Sequence, residues 1–183
     1  VHITGAGTSR IRIRGGVSQD HVEHTVIGDR MAGATYLCAA AAAGGSIELT
    51  GLEPEHLACV LAVLEEAGCQ ITQEKDQITL QSSGQLHGVR PVRTAPYPGF
   101  PTDAQAILMA ALAGGEGSTM FVENMFDSRY HHVDELRRMG ARIQTDGRVA
   151  VVTGIKTLHG APVRCTDLRG GAALCVAALA AEG

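Results

Sequence analysis

Tryptophan is missing from this 183-residue chain, and only three tyrosines and three phenylalanines occur. Hydrophobic residues still make up 45% of it, much of that alanine. The chain is therefore globular, and its core must be aliphatic, with helices packed closely through small side chains. Scarce aromatics argue against a base-stacking platform. A net charge of −4 with both signs interspersed argues against a nucleic-acid surface, and no nucleic-acid partner is expected. Arg10, Arg12 and Arg14 alternate on one stretch and Arg90 lies near Arg93; both groups read as solvated strand faces.

Paired cysteine motifs are also missing. The five cysteines (Cys38, Cys59, Cys69, Cys165 and Cys175) are odd in number and show no CxxC spacing. Cys38, Cys59 and Cys175 lie in apolar helical runs, and Cys69 and Cys165 beside strands, where cysteine acts as a small hydrophobe. A reduced, cytoplasmic protein is the expectation. No secretion signal is evident, and the apolar run at Tyr36–Ala43, bounded by Arg30 and Gly44-Gly45, is too short to span a bilayer, so no membrane partner is expected. Neither HxH nor HExxH occurs, and adjacent His131 and His132 would point in different directions on a helix, so neither a metal nor a cofactor is expected. These two histidines read as surface or hydrogen-bonding residues. The chain opens on Val1 and stops at Gly183, after a helical run that reads as leading into another strand; the expectation is a piece of a longer polypeptide.

What the chain does have is a repeat. The first copy runs from Asp29 through an alanine-rich helix to Gly44-Gly45, a strand at Ser46–Leu49, a helix from about Pro54 to Ala67 ended by Gly68, and strands at Gln70–Gln73 and Gln77–Leu80. The second opens with Thr102-Asp103 and a helix at Ala106–Ala113. It continues with a strand at Ser118–Glu123, a helix at Tyr130–Met139 ended by Gly140, and strands at Ala141–Gln144 and Arg148–Val152 joined by an Asp146-Gly147 turn. Gly45 to Gly68 and Gly117 to Gly140 are both 23 residues. A third copy starts near Cys165-Thr166-Asp167 and reaches Gly183; Asp29 to Gly45 and Asp167 to Gly183 are both 16 residues. The predicted organisation is residues 1–27 as the end of a preceding domain or linking strands, then a domain over 28–183 in units 28–88, 89–160 and 161–183, the last partial. Asp29, Asp103 and Asp167 each stand at a helix start, where a carboxylate accepts from unpaired backbone N–H groups. They are expected at equivalent points of the repeat.

Three stretches carry chemistry. Pro96-Tyr97-Pro98-Gly99-Phe100-Pro101 is a stiff loop that delivers Thr102 and Asp103 to a helix start. A carboxylate so placed suits general acid–base work. Glu123 to Val133, between a strand and a helix, mixes Met125, Phe126, Arg129 and two histidines, where α/β folds place ligand contacts. Thr166-Asp167-Leu168-Arg169-Gly170-Gly171 sets an arginine near a helix start, able to pair with Asp or an anion, with glycines that permit close approach.

Together, Pro98-Gly99-Phe100-Pro101-Thr102-Asp103-Ala104-Gln105, Phe126-Asp127-Ser128-Arg129-Tyr130-His131-His132-Val133-Asp134-Glu135-Leu136, Arg138-Met139-Gly140-Ala141 and Thr166-Asp167-Leu168-Arg169 resemble the UDP-N-acetylglucosamine 1-carboxyvinyltransferases, of the EPSP synthase superfamily. The resemblance covers almost the whole chain. It implies an α/β fold of repeated βαβαββ units, an inside-out α/β barrel, with two similar domains flanking the active site. It implies transfer of enolpyruvyl from phosphoenolpyruvate to the 3-hydroxyl of UDP-N-acetylglucosamine, the first committed step of peptidoglycan synthesis. Asp103 then contacts the sugar 3-hydroxyl as general base, and Asp167 assists proton transfer or organises the cationic groups. Met125 touches the UDP-sugar through its backbone with Phe126 beside it, and Arg129 and Arg169 line the cleft. The reactive loop and a companion domain would lie outside these 183 residues, so this chain alone is expected to be inactive. Two alternatives stand: the related transferase acting on shikimate 3-phosphate, which the Phe126–Leu136 stretch fits less well, and a non-catalytic UDP-sugar-binding paralogue.

Overall fold

Alanine-rich runs bounded by glycine become three helices that pack on one another: α1 (Arg30–Ala43), α3 (Thr102–Ala113) and α5 (Leu168–Leu179). The computed structural model describes residues 1–16, 21–165 and 167–183. Every α3 residue from Ala104 to Ala113 is buried. A helix apolar on all sides must be covered on all sides, and its alanines let α1 and α5 approach closely.

The strands lie around these helices. β3 (Gly45–Thr50), β4 (Gln70–Gln73) and β5 (Gln77–Ser82) form an antiparallel sheet in the order β3-β5-β4. The corresponding strands of the next copy are β7 (Ser118–Val122), β8 (Arg142–Asp146) and β9 (Val149–Thr153), in the order β7-β9-β8, with β6 (Val92–Arg93) added parallel to β7. β10 (Leu158–His159) pairs in parallel with β11 (Ala181–Glu182) across α5, as β6 pairs with β7 across α3. The second copy is thus a complete βαβαββ unit. Helices inside and sheets outside make the inside-out arrangement.

Of the two peripheral helices, the first fills its expected span and the second is shorter than its periodicity suggests. The first begins as a 3-10 turn at Pro54–Leu57 and continues as α2 (Ala58–Glu66), while α4 spans only Val133–Arg138. Gly68 (φ +106) and Gly140 (φ +92) end them in a conformation that disfavours a side chain. Beside each packs a histidine ring, that of His87 or His159, and the backbone N–H groups of these two residues donate to Ala67 O and Met139 O, both at 3.0 Å. The β8–β9 turn is formed by Gly147 and Arg148, with Asp146 still paired to Val149. Among the described residues of Val1–Val26 the strands are brief: β1 (His2–Thr4) and β2 (Arg12–Arg14) pair with each other and are exposed.

One sequence expectation is corrected. Asp29 and Asp167 are N-caps, accepting from Met31 N at 2.7 Å and from Arg169 N and Gly170 N at 2.9 and 2.8 Å. Asp103 is not: α3 starts one residue before it, Pro101 holds the cap position, and among the described residues no side chain caps that helix. The spacing shows why. Asp29 and Asp167 lie 16 residues before Gly45 and Gly183, but Asp103 lies 14 before Gly117. Its counterparts are Met31 and Arg169, two residues past each cap.

Candidate functional site

The stiff loop before α3 is pinned at both ends. Thr94 and Phe100 bridge, Ala95 N donates to Phe100 O at 3.0 Å, and Gly99 N donates to Pro96 O at 2.8 Å. The Tyr97-Pro98 peptide is cis. Gly99 is required by close approach: a Cβ there would lie 2.5 Å from Ala95 Cβ. From α2, the Cys59 thiol donates to Pro98 O at 2.8 Å. The loop therefore delivers Asp103 to the first turn of α3, where the helix dipole favours a negative charge.

Three chain segments meet at that carboxylate. Arg129, from the loop after β7, donates through Nη2 to Asp103 Oδ1, and Arg169, in the first turn of α5, donates to Oδ2 at 3.2 Å. The side chains of Asp103, Arg129 and Arg169 are 38%, 30% and 26% exposed, so the trio stands at the surface within reach of a ligand. Arg129 also lies over the Phe126 ring, 5.1 Å from its centroid. Two guanidiniums meet one carboxylate in the trio, the N-terminal end of α3 adds positive potential, and the neighbouring Asp167 is engaged by the α5 amides. Such a face attracts anions.

Asp167 sits beside the trio with a different duty. Its carboxylate receives the backbone N–H groups at the start of α5. The Gly170 N–H bond chiefly holds its pKa below the ordinary value; burial opposes this, while the Arg169 N–H and nearby His132 and Arg129 assist. The cap fixes the backbone from which Arg169 reaches Asp103. Gly170 makes room for it, since a Cβ there would lie 3.1 Å from His132 Cβ; Gly171 is equally necessary, its Cβ falling 2.4 Å from Cys165 Sγ. Thr166 of the same motif lies outside the described residues.

Met125 and Phe126 are exposed, but their amides turn inward to Glu123, which sequence reasoning passed over. Glu123 is 1% exposed and carries no arginine or lysine partner among the described residues. Its Oε1 accepts from Thr94 Oγ1 at 2.9 Å, Met125 N at 2.6 Å and Phe126 N at 3.1 Å; its Oε2 accepts from Thr102 Oγ1 at 2.7 Å. Thr94 in turn accepts from Asn124 N at 2.8 Å, and Asn124 Nδ2 donates to Thr94 O at 3.0 Å. A signal was present. Thr119 and Phe121 face inward on β7, and two-residue alternation carries that register on to position 123.

The two histidines part company. His131 is exposed and meets Ser128 Oγ at 3.2 Å. His132 is buried instead of at the surface; it hydrogen-bonds with the Arg129 backbone, and its Nε2 has no hydrogen-bond partner among the described residues. Burial takes its pKa down to about 4, against the pull of Asp167 and with help from Arg129 and His131, so the ring is neutral. Tyr130 is held neutral too, its pKa pushed up to about 12 by burial and the nearby Glu123 charge; its hydroxyl donates to Arg148 O at 3.1 Å. Among the described residues no helix is long and apolar enough to cross a membrane, and no group of three or more His, Cys, Asp or Glu could hold a metal ion.

A family model described as EPSP synthase (3-phosphoshikimate 1-carboxyvinyltransferase) matches residues 1–183. The chain is 49% identical over 183 residues to a protein from Afipia carboxidovorans named UDP-N-acetylglucosamine 1-carboxyvinyltransferase, covering 99% of this chain and 42% of that protein. It is 47% identical over 182 residues to one of the same name from Desulfofundulus thermocisternus, covering 99% of this chain and 74% of that protein. The chain thus spans 42% of the length of the first of these relatives. Among solved structures, the enolpyruvyl transferase NikO from Streptomyces tendae superposes with a TM-score of 0.73 at 29% identity, covering 86% of this chain and 38% of that one. An EPSP synthase from Acinetobacter baumannii shares the fold, with a TM-score of 0.65 at 21% identity over 87% of this chain and 39% of that one.

Proposed function

The chain belongs to the EPSP synthase family, and from that premise we propose that it supplies one wall of the active site of an enzyme that transfers enolpyruvyl from phosphoenolpyruvate to the 3-hydroxyl of UDP-N-acetylglucosamine, releasing phosphate. The observation that carries the reading is the meeting of Asp103, Arg129 and Arg169 from three separate segments. The sugar specificity draws support from the names of the relatives at 47–49% identity.

The reaction adds the sugar O3 to C2 of phosphoenolpyruvate while C3 gains a proton; C3 then loses a proton as the C2–O bond to phosphate breaks. Asp103 takes the proton from the 3-hydroxyl. In the structure its carboxylate is engaged by two guanidiniums, which suit the phosphate and carboxylate groups of the donor equally well. Arrival of the anionic donor draws Arg129 and Arg169 away and frees Asp103 for the hydroxyl. Asp167 keeps Arg169 in place and assists proton movement at C3 or organises the cationic groups there. The Met125 amide is committed to Glu123, so a backbone contact to the nucleotide-sugar falls to its carbonyl, with Phe126 alongside. A companion domain of the same polypeptide closes over this face. The product feeds peptidoglycan synthesis, in the cytoplasm.

The test uses the intact gene product that carries this chain. Phosphate release from phosphoenolpyruvate should require UDP-N-acetylglucosamine and be lost in Asp103→Ala. Release driven by shikimate 3-phosphate instead would overturn the acceptor assignment. UDP-sugar binding with no turnover would favour a non-catalytic paralogue.

A further inference from the structure

We infer that Glu123 is a positioning residue that locks the nucleotide-sugar loop and the Asp103 helix start into one frame; the inference rests on the function proposed above. Its carboxylate spans the two parts of the site. Oε1 gathers the amides of Met125 and Phe126, and Oε2 takes the hydroxyl of Thr102, the residue before Asp103. Thr94, at the start of the stiff loop, joins on the Oε1 side. Four donors from three segments thus converge on one carboxyl group with almost no access to water. Donors so arranged satisfy a buried carboxylate and fix the geometry of everything that carries them.

The repeat shows that the fold does not need this carboxylate. Glu123 lies 72 residues after Gly51, as Arg148 lies 72 after Asp76. Both copies make the same backbone bond, Gly51 N to Asp76 O and Glu123 N to Arg148 O, each at 2.8 Å. In the first copy a glycine serves at that corner, with φ +74. The residues in Thr94's and Thr102's places there are Val22 and Arg30, so the whole bracket of acceptor and hydroxyl donors is absent. The bracket occurs in the copy that carries the stiff loop and Asp103. A group that merely closed the strand end would be dispensable here too.

The experiment uses the intact gene product, with steady-state kinetics in each substrate and thermal unfolding of every variant. E123D keeps the charge but, one methylene shorter, cannot reach the loop amides and Thr102 together. The Michaelis constant for UDP-N-acetylglucosamine should rise about tenfold and kcat should fall about tenfold or more, with the constant for phosphoenolpyruvate unchanged, in line with the sensitivity of catalysis to small displacements. T102V cuts only the arm to α3, so kcat should fall with the sugar constant unchanged. E123Q keeps the length and the Oε1 acceptor, and the Thr102 hydroxyl can turn to accept from its amide, so this variant should recover most of what E123D loses. Lowered melting temperatures with kcat and both constants at unmodified values would overturn the inference, as would a rise in the sugar constant in T102V equal to that in E123D. Should E123D fail to fold, T102V and E123Q still decide. Turnover of the unmodified protein tests the parent reading separately; its absence removes that reading and this inference with it.

Discussion

Asp103 and Arg169 occupy the same position in successive copies of the repeat, two residues past the helix cap, and their side chains meet at 3.2 Å. Pseudo-symmetry explains the meeting. α3 and α5 pack against each other, so equivalent points on their first turns come near. The pair is complementary because the copies have diverged at that point into acid and base, while α1 carries Met31 there.

Removing the carboxylate should separate catalysis from stability. Asp103→Ala should lower turnover of the intact gene product by about 10²- to 10⁴-fold, the range for loss of a general base. Its melting temperature should move little, because Asp103 caps nothing and its ion pairs are partly exposed. Phosphate release and a thermal melt on the same preparation check both halves; a large stability loss at unchanged turnover would reverse the assignment.

Asp167 should behave in the opposite sense. Asp167→Ala removes the N-cap of α5 and should cost about 1 kcal/mol of stability, whereas Asp167→Asn, which can still cap, should cost little at neutral pH. Its pKa is lowered in the fold, so the ionised form contributes stability above the unfolded value near 3.8 and loses it as pH falls through the lower folded value. The Asn variant lacks that titration. Melts across the acid range should show the gap between wild type and Asp167→Ala narrowing as pH drops; a constant gap counts against the ionised carboxylate at the cap.

Much of this was legible from residue order. Alanine runs between glycines marked the inner helices, and the 23-residue spacing marked the repeat. The stiff loop singled out Asp103. What spacing could not show was that α3 starts two residues earlier than a capping Asp103 would set it, so that Asp103 is a partner of Arg169 and not a cap: that depends on helix packing across 66 residues. Glu123 was hidden for another reason. A charged residue at a strand end is ordinarily solvated, and only the inward register of β7 together with its hydroxyl and amide donors explains its burial. His132 was obscured in the same way, since its cover comes from α5, far along the chain.

Thiol accessibility offers an independent check on the packing. Cys165 and Cys175 are exposed, Cys59 is half-buried against the stiff loop, and Cys38 and Cys69 are buried. Burial pushes the Cys38 thiol up to about 12, with Cys69 adding to the effect, and burial also raises Cys69. A thiol reagent at pH 8 should label Cys165 and Cys175 first, Cys59 more slowly, and Cys38 and Cys69 only in denaturant. Mass mapping of labelled peptides reads the order, and early labelling of Cys38 would contradict the packing of α1.

His132 makes acid sensitivity a property of the site's support. The ordinary value of the group is 6.5 and burial takes it to about 4 in the fold. Between these values the unfolded chain binds a proton that the folded chain refuses, so stability is fully present above about pH 6.5 and drains away as pH falls toward 4. The groups facing the ring are Asp167 and the Arg129 backbone, which favour its protonation, and the charges of Arg129 and His131, which oppose it. His132→Gln replaces the ring with a side chain that does not titrate, so its melting temperature should fall less steeply across that window. The informative quantity is the difference between the two melting curves, because it cancels the other carboxylates and histidines. That difference should be constant above pH 7 and should change steadily between pH 6.5 and 4. A difference that stays flat throughout would mean the imidazole protonates as readily folded as unfolded, and that α5 does not seal it.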